Sequence, residues 1–191
     1  MRLLVIIFLI TNIYAKDKNI FLDTKLDIPF FGKGIDNDGY GSSKSLYYTS
    51  NAFLGVSLGY SIKLHNEWVF EPSIGYTFSA DDSLSFFDGK TFTYNYSDIT
   101  LPFMYKKKGF KGGLFFRYIN IDTIEWGDKE YDESDMKFKN KNPYTLGLKV
   151  VTRSWFYTYE YLFNGKYSRD EGRANVDIEG SRISIGLRVS F

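Results

Sequence analysis

The chain has no cysteine, a single histidine and only four prolines among its 191 residues. Without thiols it forms no disulfide, no thiolate metal centre and no cysteine nucleophile. One imidazole leaves nothing for a multi-histidine metal site. Excess charge of one sign is also missing, since 24 lysines and arginines stand against 23 aspartates and glutamates. A nucleic-acid partner needs a basic excess to neutralise phosphates, so that class is excluded. Long apolar runs are absent too: the longest, Leu3 to Ile10, has 8 residues, whereas a membrane-spanning helix needs about 20. What the chain has in abundance is rings, with 16 tyrosines, 18 phenylalanines and three tryptophans.

The opening residues read as an address. Arg2 precedes the apolar run, and Ala15 closes a short polar step before Lys16 and Asp17. Charge, apolar middle and small residue in that order predict a cleaved signal peptide over residues 1–15. The alternative is a buried N-terminal strand. Cleavage would leave a single domain, 16–191, with equal numbers of basic and acidic residues.

Helical periodicity is hard to find in that domain, while period-two alternation recurs eight times. The large-residue faces are Ile20 to Phe30, Leu54 to Leu64, Trp68 to Phe78, Ile99 to Tyr105, Leu114 to Tyr118, Tyr144 to Val150, Trp155 to Phe163 and Ile183 to Phe191. Between them fall Gly, Ser, Thr and charged residues. The fourth segment is the least regular. Tyr94 and Tyr96 fall opposite to Ile99, which predicts a bulge near Ser97. The links, about 31–51, 65–67, 79–92, 106–109, 122–143, 152–154 and 164–179, alternate long and short.

Ring placement decides which face meets what. Trp68, Tyr105, Phe110, Trp155 and Phe191 sit at one set of strand ends. Phe30, Phe53, Phe78, Tyr118, Tyr144 and Phe163 sit at the other. Two aromatic girdles bracketing an aliphatic band match the two interfaces of a bilayer. The prediction is an all-β, eight-stranded antiparallel up-and-down transmembrane barrel, large residues outside and small ones inside. Its short turns would be periplasmic and its long loops extracellular. The competing fold is a soluble lipocalin-like barrel with the apolar face turned inward around a ligand. An eight-stranded lumen is too narrow for so many rings, which favours the membrane barrel.

These residues resemble the small eight-stranded outer-membrane β-barrels of Gram-negative bacteria, the OmpA-like and OmpX-like class. The resemblance covers residues 16–191 and rests on the architecture and two local marks. One is the alternation Ile183, Ile185, Leu187, Val189 ending in Phe191. In that class such an ending implies recognition by the barrel assembly machinery. The other is Tyr96-Ser97-Asp98-Ile99-Thr100-Leu101-Pro102, similar to a stretch common in those barrels. The class implies residence in the outer membrane among lipid and lipopolysaccharide, with loops available to an extracellular surface ligand.

The inward face carries charge. Asp23, Asp27, Glu71, Asp98 and Glu160 share it with Lys25, Lys63, Lys111, Arg117, Lys149, Arg182 and Arg188. In a narrow lumen such charges must pair, which predicts a salt-bridged plug in preference to a gated ion path. No catalytic, cofactor or metal residues are expected. His65 lies in a three-residue turn at the short-turn end, away from any long-loop serine or acid that would need a base within hydrogen-bond reach. A serine–lysine arrangement among Ser42, Ser43, Lys44 and Ser45 reads as loop solvation. The third long loop holds Glu125, Asp128, Glu130, Asp132, Glu133 and Asp135, then Lys137, Lys139 and Lys141. Calcium is one reading of those oxygens, but without an EF-hand register a solvated polyampholyte is the stronger one. Lys166, Arg169 and Arg173 are candidates for lipopolysaccharide phosphates, and Gly34, Gly39 and Gly41 mark a flexible first loop.

Overall fold

The computed structural model describes residues 19–29, 33–37, 43–47, 52–79, 91–127, 136–138, 142–168 and 174–191. Residues 1–15, expected to be a signal peptide, and Phe30 lie outside these residues.

Fifteen strands follow in chain order: β1 (Ile20–Pro29), β2 (Lys33–Asn37), β3 (Ser43–Tyr47), β4 (Phe53–Tyr60), β5 (Ile62–Lys63), β6 (Trp68–Phe70), β7 (Ser73–Ser79), β8 (Thr91–Lys107), β9 (Phe110–Gly127), β10 (Met136–Phe138), β11 (Tyr144–Thr152), β12 (Trp155–Phe163), β13 (Lys166–Ser168), β14 (Ala174–Asp177) and β15 (Gly180–Ser190). Ten of them make eight staves, with β5 continuing β4 and β6 leading into β7, each antiparallel to its neighbours. β15 pairs with β1 from Phe21↔Ser190 to Pro29↔Arg182, which closes the ring. Closure leaves no open edge of N–H and C=O groups facing lipid.

The short connections are tight. Lys108 and Gly109, with φ of 40° and 82°, join β8 to β9, and positive φ at both central residues matches the right-handed twist of a hairpin. Arg153 (φ 48°) and Asn66 (φ 58°) turn the chain in the other two. The long connections contain more order than the sequence indicates. β2 and β3 from the first loop join β13 and β14 from the fourth in a separate four-stranded sheet, ordered β13-β14-β2-β3. Gly34, read as a mark of flexibility, is a paired residue of β2, opposite Leu46. β8 and β9 run on past their neighbours, and β10 adds to β9 by pairing Met136 with Trp126.

Parity holds along every stave. Leu54, Val56, Leu58, Ile74, Tyr76, Ile99, Leu101, Leu114, Leu146, Leu148, Tyr157, Tyr159, Ile183 and Ile185 are exposed on the outer wall. Ile74 and Leu114 reach 63% and 67% exposure. An apolar belt of that extent marks a surface whose solvent is not water.

Three expectations need correction. The register does shift beside Ser97, between Tyr94 and Tyr96, but not within β8 itself, where Tyr94, Tyr96, Asp98 and Thr100 are all buried in unbroken alternation. The extra residue is on β9, because Tyr94 pairs with Ile124 while Tyr96 pairs with Ile121. Phe53 is no girdle residue. It is buried in the lumen with its ring centroid 4.5 Å from that of Tyr94. The interior is not a set of small residues alone, since Phe21, Tyr94, Tyr96, Met104, Phe115 and Phe156 are also buried there. The small residues make room for them. A methyl group at Gly59 would strike Phe21, one at Gly147 would strike Phe115, and one at Gly186 would strike Phe156.

Candidate functional site

Since the lumen is where charge is forced inside, it is the part of the molecule with chemistry to explain. Its short-turn end is stopped by an apolar cluster of Val69, Met104, Val151 and Phe156. Two charge clusters lie above it.

In the lower cluster Arg188, from β15, is the hub. Its Nε donates to Asp23 Oδ1 at 2.7 Å, its Nη2 to Asp23 Oδ2 at 2.8 Å and its Nη1 to Glu71 Oε2 at 2.6 Å. Lys149 Nζ donates to Asp23 Oδ2 at 2.9 Å. Lys111 donates to Glu71 Oε1, which also accepts from the Ser61 hydroxyl at 3.0 Å. Flat aromatic faces carry the cations: the Arg188 guanidinium lies 3.8 Å from the Phe21 centroid and the Lys149 ammonium 4.7 Å from that of Phe156. Rings held in place by glycines thus supply cation–π partners for guanidinium and ammonium groups that have left water.

The upper cluster mixes ions with phenols. Lys25 pairs with Asp27 at 2.8 Å and lies 4.0 Å from Asp98. Tyr96 donates its hydroxyl to Asp27 Oδ2 at 2.8 Å and accepts from Lys25 at 3.2 Å. Arg117 donates to Glu160 at 2.7 Å and to the Thr100 hydroxyl at 3.0 Å. Glu160 also accepts from Thr145 at 2.7 Å, and Arg182 donates to the hydroxyl of Tyr94. Among the described residues four buried polar atoms have no hydrogen bond: Asp27 Oδ1, Thr77 Oγ1, Asp98 Oδ2 and Arg182 Nη1. All four belong to the upper half.

Of the twelve charged residues assigned to the inner face, eleven meet in these clusters, with Lys111 only partly buried. Lys63 does not. Both residues of β5 are exposed, because β5 lies at the mouth, with Lys63 opposite Val69 of the apolar stop. Tyr94 and Tyr96 were missed as members. Charge alone does not single them out, although a phenol can both donate and accept.

The girdle residues occupy the two ends of the outer wall. Trp68 stacks on Phe103 at 4.8 Å and meets Tyr105 edge-on at 5.4 Å. Phe110 and Trp155 are exposed at the same end. At the long-loop end Tyr144 stacks on Phe163 at 5.4 Å, with Tyr118 and Phe78 exposed nearby. Ile183, Ile185, Leu187 and Val189 face outward along β15, and the Phe191 amide donates to Ile20 O at 2.9 Å. His65 is exposed in the turn between β5 and β6. Among the described residues no group of acids and histidines could hold a metal. Asp128, Glu130, Asp132, Glu133, Asp135, Lys139, Lys141, Arg169 and Arg173 lie outside those residues, as do Gly39, Gly41 and Ser42. Ser43, Lys44 and Ser45 are in β3, Glu125 is in β9 and Lys137 in β10. Lys166 lies 3.7 Å from Glu179.

No protein-family model matches the chain, and no curated protein matches it in sequence. Solved structures do. Neisserial surface protein A is 15% identical over 90% of this chain and 97% of its own, with a TM-score of 0.53. OprG from Pseudomonas aeruginosa is 13% identical over 91% and 96%, TM-score 0.42. Ail from Yersinia pestis is 13% identical over 90% and 99%, TM-score 0.36. With its closed ring of eight antiparallel staves, its outward apolar belt and this likeness, the chain has the fold of the small eight-stranded outer-membrane β-barrels.

Proposed function

We propose that the protein is an integral outer-membrane barrel that neither conducts nor catalyses, and that holds a loop platform at the cell surface for structural or adhesive contact. The short turns and both termini face the periplasm in this reading, and the long loops face outward among lipopolysaccharide and whatever surface ligand they meet. The observation that carries it is the four-stranded sheet built from the first and fourth loops. Long-loop segments that merely closed the barrel would not need to pair with each other, whereas a rigid stave array is well suited to presenting a second sheet. The paired lumen supports the absence of conduction, since a hydrated ion would have to displace bonds among buried charges. An outward-facing His65 at the turn end supports the absence of hydrolytic chemistry at the loop end.

The test is outer-membrane fractionation with gel electrophoresis before and after boiling, followed by binding of intact cells to immobilised surface ligands with and without the first-loop segment 33–47. A heat-shifted outer-membrane band and loop-dependent binding are the expected results. A soluble periplasmic band, altered lipid A masses when the protein is present, or a steady open conductance in a planar bilayer would each overturn part of the reading.

A further inference from the structure

We infer that the short-turn rim is a binding site for anionic, phosphate-bearing lipid headgroups, an inference that rests on the membrane reading above. Lys63, Lys106, Lys107, Lys108 and Arg153 are exposed on three successive turns, with Glu67 the one acidic side chain among them. The turns are tied together. Lys106 N donates to Glu67 O at 2.7 Å and Arg153 N to Gly109 O at 3.4 Å. Among the described residues none of the five cations forms an ion pair, although every lysine and arginine of the lumen has an acid or phenol partner.

The rim is a segregation, not a reflection of composition. The four long links 31–51, 79–92, 122–143 and 164–179 together hold 16 acidic and 10 basic residues, in a chain that is nearly neutral. Backbone geometry adds a second argument. Lys108 and Arg153 have φ of 40° and 48°, a left-handed region better suited to glycine or asparagine. Cations occupy turn positions that local conformation would give to other residues.

Depth selects the occupant. Tyr105 precedes Lys106, and Arg153 is two residues from Trp155, so the cations sit just beyond the aromatic girdle where headgroups lie. Turns of two to four residues cannot extend toward a distant cell-wall polymer. Phosphate esters of glycerolipids are at the right depth and of the right sign, and lysines with long stems reach them while their methylenes stay against the wall.

The experiment reconstitutes the protein in phosphatidylcholine vesicles and measures its first-shell selectivity with spin-labelled phosphatidylglycerol against spin-labelled phosphatidylcholine. A preference of about fivefold is expected, the size of roughly one cation–headgroup contact. It should fall to about one in the K106Q/K107Q/K108Q/R153Q variant, and for the unchanged protein in roughly 1 M salt, where screening acts within about 3 Å. Lys166→Gln, at the opposite end, should leave it unchanged. A heat-shifted, inserted barrel with no preference overturns the inference and leaves the barrel reading standing. So does a preference insensitive to both salt and the four substitutions, or capture by purified sacculi that those substitutions abolish while selectivity persists. A chain that inserts in no vesicle at all fails the barrel reading first, by the gel and not by the spin label.

Discussion

The two charge clusters of the lumen use the same residue types and are closed differently. In the lower one a single guanidinium spends Nε and both terminal nitrogens on two carboxylates, and each carboxylate has a second cation. In the upper one three acids, three bases and two phenols share bonds in a longer chain, and four buried polar atoms are left over. A network with all members satisfied is rigid, whereas an unpaired buried group costs free energy without specifying geometry. The lower cluster is therefore the lock of the barrel, and the upper cluster is where the interior is more easily rearranged.

Removing the hub of the lock is the largest perturbation available. Arg188→Met takes three hydrogen bonds from Asp23 and Glu71 and leaves both carboxylates buried with one lysine each. The expected cost is about 3–5 kcal/mol, the range for breaking a buried pair by deleting one partner. It is checked by the urea midpoint of the heat-shifted band. Arg117→Met should cost less, because it breaks one hydrogen bond to a carboxylate and one to a hydroxyl, against three to carboxylates at Arg188. Equal losses at the two sites would abolish the distinction between the clusters.

The next effect concerns the rings on which the lower cations rest. Gly59→Ala would push a methyl group into Phe21, whose ring supports Arg188. Overpacking of this kind costs typically about 1–3 kcal/mol. The double variant Gly59→Ala with Phe21→Leu should recover part of the loss, as the smaller side chain vacates the contact. A double variant no better than the sum of the two single changes would show that the pair does not act through contact.

This ring-and-glycine arrangement shows how far the sequence was legible. Alternation placed the charged face inside, because Asp23, Lys25 and Asp27 share a parity and none can face lipid. The same parity, applied to every residue, also puts Phe21, Phe115 and Phe156 inside. They were passed over because large residues were assigned to the outer wall as a class. What one strand cannot display is its partner: Gly59 explains Phe21 only once β1 and β4 are side by side with Phe21 opposite Gly59. The bulge reads as belonging to β8 and not to β9 for the same reason, since an extra residue is defined by the pairing of two strands. Lys63 was assigned by parity without regard to depth. The loop sheet is not legible in the sequence because its paired segments, three to five residues long, each hold only one or two apolar side chains, too few to show an alternation.

The smallest effect is the sharpest, because it has the opposite sign. Thr77 is buried and its hydroxyl has no hydrogen-bond partner. Thr77→Val keeps the shape, replaces the unsatisfied oxygen with a methyl group and leaves the charges of the upper cluster untouched. Losing an unpaired buried polar group should be neutral or stabilising by up to about 1 kcal/mol. The corresponding change at a satisfied hydroxyl of the same cluster is Thr145→Val, which deletes a 2.7 Å bond to Glu160 and should destabilise by a similar amount. Measured together by urea unfolding, the two isosteric substitutions should move the midpoint in opposite directions. If Thr77→Val destabilises as much as Thr145→Val, its hydroxyl contributes to the network after all. The upper cluster would then hold three unpaired atoms in place of four.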